Sequence, residues 1–579
     1  MSSNFKLSNT VIKENIKLIQ AYMHEINVDV FFMTSFDQYL NEYVPMENCH
    51  RYYFTGFSGS TAEVIIPREG KVKLYVDGRY HEQADLECDL DQIEVVKTGM
   101  DKGNIKVLKD DLVAGKYKKV GFEANRTPAA FYEYLVENFD FMALNNDELT
   151  SVVNFEKMPP LGKVNHLPRE LRGSDTNEKL SKIIANKNEA YFITTTDSLA
   201  WLANCRGYHL PYLSSFLGKG LATFDKLYVF LDKGVEFECH DPTIEFINCD
   251  NSDLKPLVTK ILANYEINKM MIDKRMLNAQ AYLILENIMG AEKLFNKQGG
   301  LTEYHSIKEE GEIKVIKDSF QKADQAIFNT IKWVKNQRKE GNEVSELDLY
   351  NQTTVMYKEQ GAIDQSFGTI AGVDANGSII HYSDPKPNVM IKDNSMILLD
   401  SGGYFASGFA TDTTRTFIGG AIEASEEHKE IYTLVLKSIL QLQNAVFKAG
   451  TKSNGLDAIC RQPLFQVGYD YAHGTGHGVG IHVHEGGVSI SSGRAEEFKP
   501  GQVVSMEPGI YIPGFGGVRL ENIALVKKHA KFEGFLQFEN LVYIGFEPLL
   551  INKLMLSIQE NVWLEEYEAE CSKRGTSFR

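Results

Sequence analysis

Apolar residues recur at helical spacing across residues 11–26, which predicts an amphipathic helix near the start of the chain. The run from Val28 to Met33 follows, then Thr34, Ser35, Phe36 and Asp37, and reads as a buried strand ending in a turn. YYFTGFSGS (residues 52–60), AEVIIP (62–67) and VKLYVDGRY (72–80) continue the alternation of strand and helix patterns, so this part predicts an α/β unit. The plan recurs. A helical stretch, EKLSKIIANKN from Glu178, precedes the apolar AYFITTTDSLAWLANCRG (190–207), and the strand-like KLYVFLDKG starts at Lys226. The repeated order predicts a duplicated α/β domain, with two unrelated units built on common patterns as the alternative. Residues 158–176, rich in Pro, Gly and charge, read as a connection between domains. After His305 the period changes: Ile313, Ile316, Phe320, Ala323 and Ile327 share one face of a long helix. Three domains are therefore expected, at residues 1–157, 158–308 and 309–579.

The third segment places acids where its patterning predicts burial. Met396, Ile397, Leu398 and Leu399 form a short strand ending on Asp400, Gly402 and Gly403 turn the chain, and a second strand-like run carries Asp412. HGTGHGVGIHVHEG (473–486) holds His473, His477, His482 and His484 among glycines. Residues 503–506 are a strand ending on Glu507, and Glu521 lies inside an alternating strand in GGVRLENIALV. Taken singly, each has a plain explanation, such as a turn, a cap or a hydrogen-bonding histidine. Burying an acid is costly unless it is paired or metal-bound. Four such acids with one glycine-cradled imidazole point jointly to a metal site. An oxygen-rich set with one imidazole suits Mn²⁺, and also Co²⁺ or Zn²⁺. Two such ions, about 3.5–4 Å apart, would lower the pKa of a bridging water enough to yield hydroxide near neutrality, which attacks a peptide carbonyl.

Bulk properties narrow the class. The 579 residues exceed a single core, and the net charge of −17 argues against nucleic-acid or anionic-membrane partners. The N-terminus lacks a signal-peptide pattern and no apolar run is long enough to span a bilayer. Seven scattered cysteines without a C-x-x-C pair predict reduced, mostly buried thiols and a cytoplasmic protein.

The two aspartates followed by HGTGHGVG, MEPGIY and GVRLEN resemble the methionine aminopeptidase, prolidase and aminopeptidase P superfamily, with its pita-bread fold. RYYFTGFSGS, VDGRY, SLAWLANCRG, FLQFENLVYIGFEP and WLEEYEAEC resemble its cytosolic Xaa-Pro aminopeptidase branch. The resemblance implies two creatinase-like α/β N-terminal domains before a catalytic pita-bread domain, a homodimer, and cleavage of peptides with proline at position two. Prolidase activity is the alternative, and a non-catalytic peptide-binding role a further one. By resemblance, Asp400 binds one metal ion, Asp412 and Glu521 bridge, and His477 and Glu507 complete the other. Glu507 also serves as general base. His381 and His484 contact substrate and stabilise the intermediate or carry a proton. His473 lines the pocket, Arg519 stands beside the bridging glutamate, and Arg79 contacts peptide. Asp400 and Asp412 enclose eleven residues, one more than the family's usual spacing. The extra residue is expected in the turn, with both strands keeping register.

Overall fold

A computed structural model describes residues 5–99, 102–144, 146–420 and 424–579. It forms two compact units, Met1–Leu167 with Ser174–Leu301, and Pro168–Gly173 with Thr302–Arg579.

The first unit contains the duplication. One six-stranded sheet runs, edge to edge, Ile93–Lys97, Val72–Val76, Glu63–Pro67, Val30–Thr34, Lys119–Glu123 and Asp140–Leu144. The other runs Ile244–Asn248, Leu227–Leu231, Lys219–Ala222, Glu189–Ile193, Lys269–Ile272 and Leu294–Asn296. Equivalent neighbours pair with the same sense in both sheets, antiparallel at the second and third interfaces and parallel at the other three. Shared order and shared sense at every interface bear out two like α/β domains. Equivalent turns also meet: Ala129 N donates to the Leu277 carbonyl and Ala279 N to the Thr127 carbonyl, each at 2.8 Å. The helix read at 11–26 is Asn9–Glu25, buried through Ile12, Ile16, Ile19 and Met23 and capped by Ser8. The apolar stretch 190–207 divides into the strand Glu189–Ile193 and the helix Thr196–Ala203. Both pieces are almost wholly buried, so neither leaves a polar face to mark the change of period.

The second unit begins with the long helix Glu310–Lys339, closed by a Glu309–Glu312 capping box, which buries Ile316, Phe320, Ala323 and Ile327 and leaves Ile313 half-buried. Three strands, Ile370–Val373, Met396–Ser401 and Thr413–Ile418, form one antiparallel sheet. A six-stranded sheet runs Val446–Lys448, Phe535–Asn540, Asn522–Lys528, Val503–Met506, Gly476–Gly478 and Glu485–Ile490. The helices Glu426–Gln443 and Ile558–Arg574 contribute Ile431, Val435, Ile439, Leu564 and Tyr567 to the unit's main core, which they share with Met396 and Ile418 of the three-stranded sheet. This arrangement agrees with the expected pita-bread domain.

Candidate metal centre

The acids converge because of strand register. Asp400 pairs opposite Thr414 and Ser401 opposite Thr413, and the same register reaches Tyr404 opposite Ala410. The hairpin therefore closes over residues 405–409, with both strands in unbroken register. Asp412 immediately precedes the strand Thr413–Ile418 rather than lying within it. That register sets Asp412 opposite Gly402, two residues on from Asp400 and so on the same face.

A second hairpin supplies the glutamates. Met506 pairs opposite Asn522, and Gly509 opposite Arg519, which sets Glu507 opposite Glu521. Both lie at the break where this hairpin leaves the six-stranded sheet for the short pair Gly509–Ile512 and Gly516–Arg519. Glu521 is thus between strands, not inside one. Each backbone N–H at the break bonds elsewhere: Glu507 N to the Thr475 carbonyl at 2.8 Å, and Glu521 N to the Thr414 carbonyl at 3.1 Å. The second bond ties the glutamate hairpin to the aspartate hairpin.

His477 enters from the strand Gly476–Gly478, where a register shift separates His477 from Gly478. A Cβ on Gly476 would stand 1.9 Å from the Ser505 carbonyl oxygen, so only glycine lets the strands approach here. Nδ1 of His477 donates to the Gly478 carbonyl at 3.0 Å. Nε2 therefore faces the acids, 3.4 Å from Asp412 Oδ2 and 3.4 Å from Glu507 Oε1. Ligand atoms of Asp412, His477 and Glu521 all lie within 4.8 Å of one another. Glu507 joins this group through His477, and Asp400 joins it through the hairpin and Arg519.

Arg519 is buried and donates to Asp400 Oδ2 at 2.7 Å, Thr414 Oγ1 at 2.9 Å, Tyr511 Oη at 3.0 Å and the Ile380 carbonyl at 3.3 Å. The last bond holds the backbone beside His381, itself half-buried. His473 Nδ1 donates to the Gly474 carbonyl, leaving Nε2 to accept from Tyr511 Oη at 2.9 Å; its Nδ1 is 4.0 Å from Glu507 Oε2. The His484 ring lies edge-on to His477, with centroids 4.3 Å apart. Arg79 is in the first unit, forked onto Asp77 at 3.0 and 2.8 Å and lying over the Tyr80 ring. Thr414, Tyr511 and Ser505, which holds His477 N at 2.9 Å, also belong to the cluster and were not read from the sequence. Their only local signal is a polar side chain on a strand that patterning predicts to be buried.

The electrostatics state what the cluster lacks. Burial, with the charge of Asp412, pushes Asp400 up to about 6 against the opposing pull of Arg519. Burial raises Glu507, and burial with three neighbouring acids raises Glu521 far above the carboxylate range. Burial disfavours charge on His477, but Asp412 and Glu507 prevail and lift it to about 9. Two buried oxygens, Asp400 Oδ1 and Glu521 Oε1, have no hydrogen-bond donor. Orphaned carboxylate oxygens cost free energy that a cation would recover. The donor set therefore fits divalent cations.

A buried ion pair underpins the histidine loop. Lys308 Nζ bonds Glu485 Oε2, and His305 Nδ1 donates to Glu485 Oε1 at 2.9 Å, with all three side chains buried. Burial opposes the Glu485 charge, but Lys308 and His305 outweigh it and hold its pKa below the usual carboxylate value. Lys308→Met would leave that carboxylate buried beside histidine alone. Chemical denaturation at pH 7 is expected to show a loss of about 3–5 kcal/mol. A depressed carboxylate contributes its stability above the ordinary pKa and loses it as pH falls through the folded value. Wild type and variant are therefore expected to converge on acidification.

Residues 314–528 match Metallopeptidase family M24, and residues 16–154 and 156–312 each match a Creatinase/Prolidase N-terminal domain. A probable Xaa-Pro aminopeptidase P of Sordaria macrospora is 30% identical, over 98% of this chain and 96% of its own length. A second, from Laccaria bicolor, is 29% identical over 96% and 89%. The crystal structure of X-prolyl aminopeptidase from Caenorhabditis elegans, described as a cytosolic enzyme with a di-nuclear active site, shares the fold. Its TM-score is 0.88 at 23% identity, covering 98% of this chain and 96% of that one.

Proposed function

This chain belongs to the Xaa-Pro aminopeptidase P family of the M24 metallopeptidases, and from that membership we propose that it removes the N-terminal residue from peptides with proline in second position. The observation that carries the reading to chemistry is the cluster of buried Asp400, Asp412 and Glu521 with half-buried Glu507 and His477, two of whose carboxylate oxygens have no donor. Asp400 would hold one divalent ion, His477 and Glu507 a second, with Asp412 and Glu521 shared between them. Bound in this way, the ions would supply an acidified water and positive charge for the developing oxyanion.

The chain's own groups do the rest. Glu507 is assigned to accept the water proton, a role its position opposite Glu521 and 3.4 Å from His477 Nε2 supports. His381 and His484 are assigned to the scissile carbonyl and to proton delivery. Arg519 favours the ionised form of Asp400 and orients it through its 2.7 Å bond. His473 is assigned to the substrate pocket and Arg79 to peptide contact. An N-terminal Xaa-Pro bond is a tertiary amide with a fixed φ on its proline side, so a pocket matched to it gains specificity.

We further propose Mn²⁺ as the working ion, with Co²⁺ or Zn²⁺ able to substitute, and a homodimeric, cytoplasmic protein with domain boundaries near residues 157 and 308. Among the described residues no helix is long and apolar enough to cross a membrane. The test is turnover of Xaa-Pro-Xaa and Xaa-Ala-Xaa tripeptides with Mn²⁺. Cleavage of the proline peptide, lost on chelation and restored by Mn²⁺, is expected. Exclusive cleavage of the alanine peptide would overturn the specificity.

A further inference from the structure

The C-terminal segment meets the two ligand-bearing hairpins around Arg415. Arg415 follows Thr414 on the aspartate hairpin and is 1% exposed. Neutral acceptors satisfy its guanidinium. Nη1 donates to the Thr414 carbonyl at 2.9 Å and the Glu521 carbonyl at 2.6 Å. Nη2 reaches Asn522 Oδ1 at 2.8 Å, the Ile544 carbonyl at 2.9 Å and Tyr567 Oη at 2.8 Å, while Nε donates to the Ile544 carbonyl at 3.2 Å. The group lies over the Phe546 ring, 5.0 Å from its centroid. Tyr567, on the helix Ile558–Arg574, is fully enclosed: its ring stacks on Phe546 and Tyr543, and its hydroxyl accepts from Ile544 N at 3.3 Å.

One face of this arginine therefore holds the carbonyls of Thr414 and Glu521. These same residues are joined to each other by Glu521 N to the Thr414 carbonyl, and by Thr414 Oγ1 to Glu521 Oε2 at 2.9 Å. The other face holds the tail. We propose that Arg415 and Tyr567 are positioning residues for the metal centre: the C-terminal helix fixes, through this planar fork, the crossing of the two ligand-bearing hairpins, and so sets the affinity for the ions. A lysine cannot reproduce the effect, because its donors radiate from one point, whereas the guanidinium here makes six hydrogen bonds to five acceptors around its plane. Outer contacts of this kind change metal affinity about 10–100-fold.

The inference rests on the metal reading above, and the test separates the two. Mn²⁺ binding to the full metal-free chain is measured by calorimetry for wild type, R415K, Y567F and L550A. Leu550 is a buried tail residue of the main core that takes no part in the arginine's hydrogen bonds. R415K is expected to bind Mn²⁺ at least about tenfold more weakly, and Y567F to weaken it by a smaller factor. Both should recover turnover at saturating Mn²⁺ with KM unchanged. L550A should lower the Tm and leave Mn²⁺ affinity intact. Wild-type affinity in Y567F would overturn the tail's part, wild-type affinity in R415K the whole proposal. Equal weakening in L550A would reduce the effect to general stability and also overturn it. A wild-type chain that binds no Mn²⁺ would instead overturn the metal reading itself.

Discussion

Glu521→Gln is expected to abolish peptide hydrolysis while leaving the metal-free protein folded and at least as stable as wild type. The glutamate is 1% exposed, and burial with Asp412, Glu507 and Asp400 around it raises its pKa and favours the uncharged carboxyl without metal. A neutral amide of the same shape then adds no electrostatic strain to the apo chain. With metal the comparison reverses, since the ligand must be an anion. The amide cannot supply that charge, and its NH₂ would turn a donor towards the cations. Turnover should fall by more than about 100-fold, beyond what changes in outer contacts cost. Metal-induced thermal stabilisation should shrink with it. Retained activity, or a metal-free variant that no longer folds, would contradict the assignment. Because Glu507 stands opposite Glu521 in the register, Glu507→Gln should behave alike.

The second large effect concerns a group assigned to proton transfer and not to metal. His484→Ala is expected to lower kcat by about 10²–10⁴, the usual worth of a positioned acid or base, with Mn²⁺ affinity changed little. The ring touches His477 edge-on at 4.3 Å, so its removal opens space beside a ligand without removing a donor atom. Glu485, next in the chain, stays locked by Lys308 and His305, so the loop backbone should hold. Measuring kcat and metal affinity on the same preparation separates the roles. If both fall together, His484 belongs with the ligands. If neither falls, His381 is left as the proton-carrying histidine.

Much of the architecture was legible because its signals are local. The first helix, the alternating strands, and the stripe of Ile316, Phe320, Ala323 and Ile327 all follow from periodicity within a single element. The repeated α/β plan was legible for the same reason, since each copy repeats its own pattern. Other readings missed. Residues 190–207 pass from strand to helix without a polar face to mark the change. Glu521 read as lying inside a strand because the hairpin keeps one register across its break, so alternation continues through a point where the chain exchanges sheets. Arg415 and Tyr567 gave no local sign of their task. They lie 152 positions apart, and each alone is an ordinary buried side chain.

Sequence alone was enough to mark four acids and a glycine-cradled histidine as candidates, because each has a plain explanation singly but their joint occurrence at buried positions does not. Its periodicity likewise marked the elements that carry them. It could not say that Asp400 meets Arg519 from 119 positions away, that Glu507 faces Glu521, or that two of their oxygens lack donors. Those facts depend on strand register between distant segments and on the exclusion of water. Burial is also what raises Asp400 and Glu521 and makes a cation the natural partner of the site.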